Sequence, residues 1–190
     1  MKRPKLIITE GHRLTGKSTI SKHLGNGINY ATRINPTGFK EDGIEGRDKI
    51  VNYYHNWVLF LMSFKDTDTT FIFDRFLFSE IVYSRLYKSY NFNSFLYKRM
   101  LKSILEVADI ELYVYSLDNE PELRSRMNRK KVLFSDVADD LIELDKQRKG
   151  YAKMVEELKE MNLEGLTITE VDVMTGTSEE HARNVINAHK

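Results

Sequence analysis

The chain contains no cysteine, and this absence removes several kinds of site from consideration. Disulfides, thiolate metal sites and thiol nucleophiles are all excluded. Long apolar runs are also missing, since none approaches the ~18 residues that a transmembrane helix needs. The charged opening Met1-Lys2-Arg3-Pro4 leads into a strand rather than into an apolar signal segment. We therefore expect a cytoplasmic protein with no membrane span.

An excess of charge of one sign is lacking as well. The net charge is +1, and acids and bases are mixed along the chain. This balance gives no support for broad electrostatic binding to nucleic acid or to an anionic membrane. A length of 190 residues with 41% hydrophobic residues is typical of one globular domain. We therefore predict a single domain over residues 1–190.

The most informative stretch lies near the start of the chain. An apolar run, Leu6-Ile7-Ile8, precedes the pattern Gly11-x-x-x-x-Gly16-Lys17-Ser18, and a helix-forming sequence follows it. This pattern indicates a phosphate-binding loop, in which backbone N–H groups surround phosphates, the lysine reaches the β- and γ-phosphates and the serine hydroxyl holds Mg²⁺. The plain alternative is an ordinary strand-turn-helix. The residues expected to bind ATP are Gly11, His12, Arg13, Leu14, Thr15, Gly16, Lys17, Ser18 and Thr19.

Strand-like and helix-like segments alternate along the whole sequence. This alternation predicts an α/β fold with three layers, in which helices flank a five-stranded parallel sheet. Polar residues follow several of the strands, and parallel strands place their carboxyl ends at one edge, so we expect the site there. The predicted strands cover residues 5–9, 28–34, 69–73, 110–115 and 166–173. The predicted helices run from the loop to Leu24, over 47–64, 77–89 and 95–107, from about 118, over 136–161, and from a capping box at Thr177 and Glu180.

Asp74-Arg75 directly follows the third predicted strand. A carboxylate at that strand end is suited to supporting Mg²⁺ beside Ser18. The planar fork of Arg75 is suited to gripping a second phosphate. The alternative is a solvated charge pair at a strand end. Next to a phosphate-binding loop we favour the functional interpretation, with Ser18 and Asp74 as the metal-binding residues.

A basic stretch predicts a mobile lid. Residues 124–131 contain five cations, and phosphoryl transfer needs positive charge that arrives when the site closes. We therefore predict a lid segment at about 124–136, from which one or two cations enter the site while the others remain on a solvated helix face. Arg148 is a weaker candidate. The aromatic cluster Tyr53, Tyr54, Trp57, Phe60 and Phe64 is more typical of a core than of a base-stacking platform.

Taken in order, these motifs resemble the thymidylate kinase family of nucleoside monophosphate kinases, within the P-loop kinases. The resemblance covers nearly the whole chain. It rests on Ile8-Thr9-Glu10-Gly11 leading into Gly16-Lys17-Ser18-Thr19, Thr32-Arg33 with Pro36-Thr37, Asp74-Arg75-Phe76 with Ser79 and Tyr83, Asp109 to Tyr113 with Pro121-Glu122 and Arg129, and Arg148 with Gly150-Tyr151.

The resemblance implies transfer of the ATP γ-phosphoryl group to a deoxynucleoside monophosphate such as dTMP, with Mg²⁺ as cofactor and a homodimer as the assembly. It also implies roles for individual residues. By the family's pattern Arg33 and Arg75 would hold the acceptor, and lid residues such as Arg129 would clamp the donor. We add Arg13 and Tyr83 as candidates for binding the acceptor, and we predict that catalysis depends on Lys17, Asp74, Arg75 and Arg129.

The sequence departs from the family pattern on the acceptor side. Arg13 stands where the family usually has an acid that faces the acceptor's sugar, and Ile34-Asn35 replaces a glutamate. Ser84 replaces a glutamine often found near the base. Recognition of sugar and base is therefore the part that these motifs leave open, while the phosphate chemistry is intact.

Three alternatives remain at this stage. A deoxynucleoside kinase needs a carboxylate base near the acceptor hydroxyl, but the second strand ends without an acid and the nearest are Glu41 and Asp42. Glu10 is a further candidate for the base, but it precedes the loop glycine. A polynucleotide 5′-kinase is kept open by Arg13, although the neutral net charge argues against it. A GTP-dependent switch would carry an Asn-Lys-x-Asp tetrad, which does not occur.

Overall fold

A computed structural model describes residues 2–36, 38, 41–90, 92, 94–129 and 140–189. In these residues five strands alternate with seven α-helices and one short 3₁₀ helix, Val173–Thr175. The strands are β1 (Lys5–Gly11), β2 (Ala31–Ile34), β3 (Thr70–Asp74), β4 (Asp109–Ser116) and β5 (Leu166–Asp172). The helices are α1 (Lys17–Gly27), α2 (Gly43–Met62), α3 (Leu77–Tyr87), α4 (Ser94–Leu105), α5 (Glu120–Arg129), α6 (Leu141–Glu160) and α7 (Ser178–Ala188).

The five strands form one parallel sheet in the order β2-β3-β1-β4-β5, which confirms the predicted architecture. The central strand β1 pairs with β3 on one side and with β4 on the other. Thr9 therefore lies opposite both Asp74 and Tyr113. β1 leads into α1 and its neighbour β3 leads into α3, and these two helices pack on opposite faces of the sheet. Ligands of open α/β sheets bind in the crevice at such a point.

Both faces of the sheet are covered. Leu6 and Ile8 point into a core shared with helices α2, α3, α4 and α6, whereas Ile7 between them points into a second core with α1 and α7. Successive strand residues alternate between faces, so a continuous apolar strand is the expected result. Most of the predicted aromatic cluster packs against the larger core, with the Trp57 and Phe73 rings edge to face at 5.4 Å.

The predicted end of α1 was wrong. The helix continues past Leu24 to Gly27, and Ile28 N still bonds to Leu24 O. Gly25 and Gly27, a residue type that often ends a helix, serve packing instead. A Cβ on Gly27 would lie 2.3 Å from Ile186 Cδ1 on α7, and one on Gly25 would lie 3.2 Å from Arg33 Cβ.

Other boundaries shift by a few residues. β2 begins at Ala31 rather than at residue 28, because Tyr30 adopts a left-handed turn conformation with φ of 59°. The structure begins α6 at Leu141, where the Asp140 side chain accepts from Glu143 N; the predicted residues 136–139 lie outside the described ones. The predicted capping box at Thr177 is confirmed. Within the described ranges, no helix is both long and apolar enough to cross a bilayer.

Candidate active site

The loop between β1 and α1 depends on backbone conformations that side chains disfavour. Gly11 has φ of +135°, and a Cβ there would lie 2.1 Å from the carbonyl oxygen of Tyr115 on the paired strand. Gly16 has φ of +83° and begins α1 without a side-chain cap. The first N–H groups of α1 therefore face the loop, where the positive end of a helix attracts anions.

Lys17 is buried beneath this loop, with 5% of its surface exposed. Its ammonium donates to the carbonyl oxygen of His12 at 3.0 Å. Burial, reinforced by the nearby Arg75 guanidinium, holds the pKa of Lys17 well below its ordinary value. A buried ammonium in such surroundings is stabilised when an anion binds beside it.

His12 ties the loop to the end of β4. Its Nδ1 lies 2.8 Å from Arg13 O and must donate to it, so Nε2 accepts from Leu117 N at 3.0 Å. Burial and the charge of Lys17 lower the pKa of His12 to about 4, so the ring is neutral at pH 7. Apart from the position of His12 in the motif, no sequence pattern indicates this role.

Asp74 stands at the end of β3, directly beside the loop. Ser18 Oγ donates to Asp74 Oδ1 at 3.1 Å, and Arg33 donates to Asp74 Oδ2 at 2.9 Å. Arg33 Nε also donates to Ser21 Oγ at 2.8 Å. The structure thus brings Ser18 and Asp74 together as the sequence predicts, and it places Arg33, predicted for the acceptor, on the same carboxylate.

The Ser18 and Asp74 oxygens fit a magnesium ion. Mg²⁺ prefers oxygen ligands and is usually held by one or two protein groups, with water and phosphates completing its shell. The guanidinium of Arg33 on Asp74 Oδ2 shows that this carboxylate accommodates a cation. In the part of the chain that the structure describes, no group of three or more acidic, histidine or cysteine side chains forms a separate metal site.

Arg75 follows Asp74 in a left-handed conformation, with φ of 73°. Its backbone N donates to Thr9 O at 3.0 Å, which fixes the turn against β1. Its guanidinium lies over the Tyr83 ring, 5.4 Å from the centroid. Two residues predicted to bind the acceptor, Arg75 and Tyr83, are therefore in contact.

Glu10 is a buried carboxylate that is not among the site residues predicted from the sequence. Its Oε1 accepts from Phe76 N at 2.8 Å and from Ser79 N at 3.1 Å, so it caps the start of α3. Its Oε2 accepts from Ser79 Oγ at 2.5 Å and from Tyr151 OH at 3.1 Å. Burial raises the pKa of Glu10, although Ser79 and Arg75 oppose this shift. The sequence feature that could have indicated a role for Glu10 is its position directly before the loop glycine.

The predicted lid is described only in its first part, which belongs to α5. Arg126 donates to Leu14 O at 2.8 Å and to Glu122 at 2.7 Å, so it is a basic residue of this segment that reaches the loop. The predicted Arg129 ends α5; its side chain, together with residues 130–136, lies outside the described part. The sequence did not single out Arg126 among its basic neighbours.

Helix α6 also reaches the loop. Arg148, a weaker candidate from the sequence, pairs with Asp118 at 3.0 Å and Asp145 at 2.7 Å. Its neighbour Gln147 is fully buried and accepts from the backbone N of Arg13 at 3.2 Å. Gln147 was not predicted from the sequence, since one polar residue on an amphipathic helix carries no distinctive pattern.

No protein-family model and no curated protein sequence matches the chain. Solved structures do resemble it. The YorR protein of Bacillus subtilis, solved with phosphorylated GDP, superposes with a TM-score of 0.67 at 20% identity, covering 96% of this chain and 94% of that one. Deoxyadenosine kinase from M. mycoides, solved with the products dCMP and dCDP, gives a TM-score of 0.57 at 16% identity, with 96% and 97% covered.

Thymidylate kinase from Candida albicans gives a TM-score of 0.55 at 16% identity, covering 98% of this chain and 91% of that one. At these identities the likeness establishes the fold. The chain has the P-loop kinase α/β fold, with its parallel sheet between layers of helices.

Proposed function

We propose that this protein transfers the γ-phosphoryl group of Mg-ATP to a nucleoside or deoxynucleoside monophosphate, giving the diphosphate and ADP. The observation that carries the proposal is the meeting of two cationic sites at one crevice. Lys17 and the start of α1 lie on one side, and Arg75 with Tyr83 lies on the other. The two cations are close enough for the charge of Arg75 to lower the pKa of Lys17.

The phosphates of ATP would occupy the loop from Gly11 to Thr19. Backbone N–H groups and the start of α1 would hold them, and Lys17 would leave His12 O to follow the transferring group. Arg126 of α5 already contacts the loop at Leu14 O, so it is placed to neutralise donor charge. Arg129 remains a further candidate for the same task.

Mg²⁺ would be held by Ser18 and Asp74, where it would neutralise charge on the donor phosphates. Asp74 Oδ2 is paired with Arg33 in this structure. When a phosphate arrives on the acceptor side, Arg33 gains a second anionic partner, and its hold on Asp74 would loosen. Arg33 therefore serves both the metal site and the acceptor site in this proposal.

In the transfer step, an oxygen of the acceptor's phosphate attacks the γ-phosphorus, and the bond from that phosphorus to the β-phosphate oxygen breaks. The electron pair of the broken bond stays on ADP. A monophosphate is already an anion, so the site has to position it and neutralise charge without removing a proton. Arg75 and Arg33 would do this for the acceptor, with Arg13 and Tyr83 beside them.

The carboxylates favour a phosphate acceptor over a hydroxyl. In the described residues, Glu10 and Asp74 are the only buried acids. Both oxygens of Glu10 already accept hydrogen bonds, and Asp74 is shared by Ser18 and Arg33. A 5′-hydroxyl acceptor needs a carboxylate that can take its proton. Glu10 already accepts four hydrogen bonds, and Asp74 is assigned to Mg²⁺ in this proposal.

The second candidate is a deoxynucleoside kinase, which the likeness to deoxyadenosine kinase keeps in view. One assay separates the two. ADP formation from Mg-ATP is measured against a panel of nucleosides and their monophosphates, with dTMP and the other deoxypyrimidine monophosphates tested first. We expect turnover with monophosphates. Turnover with nucleosides and none with any monophosphate would overturn the proposal.

A further inference from the structure

Gln147 connects the two halves of the site. It lies on α6 with none of its surface exposed, and its hydrogen bonds reach the loop at Arg13 and helix α3 at Tyr83 and Tyr87. The sequence pattern pointed to none of these contacts. A fully buried amide with partners on several elements is costly to leave partly satisfied, so such networks hold their members in one arrangement.

The directions of the hydrogen bonds around Gln147 follow from the identity of the atom that contacts Arg13 N. A backbone N–H can only donate, so the Gln147 atom 3.2 Å from Arg13 N is the acceptor Oε1. The same oxygen accepts from Tyr83 OH at 3.2 Å, and Nε2 donates to Tyr87 OH at 2.9 Å. Tyr87 in turn donates to Glu143. One oxygen thus serves the loop and Tyr83 together.

Close packing of α6 on α3 makes this contact reachable. Gly150 lies nearly one helical turn after Gln147, and a Cβ there would be 2.9 Å from Val82 Cγ1. The glycine therefore allows the two helices to approach. Tyr83 then stands between Gln147 and the Arg75 guanidinium that lies over its ring.

We infer that Gln147 is a positioning residue, which fixes the phosphate-binding loop at Arg13 relative to the Arg75–Tyr83 pair. The inference rests on the proposed function, because it takes these as the donor and acceptor sides. Misplacing reacting groups by about 1 Å costs on the order of 100-fold in rate. A residue that sets this separation should therefore change kcat more than either KM.

The test compares Gln147→Met with Tyr87→Phe. Methionine fills a similar volume but removes the oxygen that accepts from Arg13 N and Tyr83 OH. Tyr87→Phe leaves that oxygen and its two partners in place and removes the other branch, which runs from Gln147 Nε2 through Tyr87 OH to Glu143. In Gln147→Met we expect faster hydrogen exchange at the Arg13 amide and about threefold weaker binding of Mg-ADP by calorimetry. We also expect kcat to fall about 10- to 100-fold with each KM within about threefold. Tyr87→Phe should leave these quantities near their original values.

Two results would overturn the inference: a folded Gln147→Met with unchanged Arg13 exchange and Mg-ADP affinity, or equal changes in both variants. If methionine prevents folding, Gln147→Asn gives the same test, because it withdraws the amide by one methylene and keeps it polar. Exchange and Mg-ADP binding need no turnover. An unaltered protein that phosphorylates no acceptor would therefore overturn the proposed function and leave these two readouts decisive for Gln147.

Discussion

The proposed donor and acceptor sides of the crevice are built in different ways. The donor side is one continuous stretch, Gly11 to Thr19, whose backbone conformation and helix start face the site. The acceptor side is assembled from side chains on separate elements, with Arg33 from β2, Arg75 after β3 and Tyr83 from α3. A site formed by local backbone can be recognised from consecutive residues in the sequence. A site formed by distant side chains depends on how the secondary-structure elements pack.

The largest expected effect is on the rate of phosphoryl transfer rather than on binding of the acceptor. Lys17→Ala should lower kcat about 1000-fold, because a charge aimed at the transferring group is lost. Stability should not fall, since a desolvated ammonium is removed. Steady-state kinetics and thermal unfolding measure both, and Lys22→Ala, on the exposed face of the same helix, is the matched control. Full residual activity would mean that the site is elsewhere.

A second prediction tests how strictly the donor side depends on its backbone. Gly11→Ala should lower the free energy of unfolding by about 4 kcal/mol, through a strained positive φ and an overlap with the Tyr115 carbonyl. The control is Gly38→Ala, where an added Cβ meets nothing within 4 Å. Urea unfolding gives both values. If the two variants were equally stable, the close approach of β1 and β4 would be refuted.

A third prediction concerns the histidine behind the donor loop. The pKa of His12 falls from 6.5 to about 4 on folding. The stabilisation from the neutral ring is complete above pH 6.5 and is lost as pH falls toward 4, because the unfolded chain takes up the proton first. This amounts to about 3 kcal/mol. Urea unfolding across that range should show the loss in the original protein and a shallower slope in His12→Gln; identical slopes would contradict it.

The smallest effect that we predict lies on the acceptor side. Arg75→Lys keeps the charge but loses the planar fork, so KM for the acceptor should rise about 30-fold. KM for ATP should stay within about threefold, since the donor loop is intact. Arg47→Lys on the surface, beside Asp48, is the control. A rise in KM for ATP as large as that for the acceptor would erase the distinction between the two sides.

The sequence allowed much of this to be predicted, and the errors have physical causes. Apolar strand runs and helical spacing predicted the parallel sheet, because strands covered on both faces must be apolar throughout. The end of α1 was missed because its glycines accommodate Ile186 and Arg33, which come from other elements. The prediction that Ser18 and Asp74 lie together followed from both standing at the carboxyl end of the sheet.

What the sequence by itself determined is the fold class and the position of the glycine-containing loop between β1 and α1, because periodicity and a glycine pattern are properties of neighbouring residues. Only the tertiary structure decided that Glu10 caps α3, that Arg33 shares Asp74, and that Gln147 joins Arg13 to Tyr83. Each of these contacts joins residues from different secondary-structure elements. Their hydrogen bonds form because packing brings buried polar groups together and removes the water that would otherwise satisfy them.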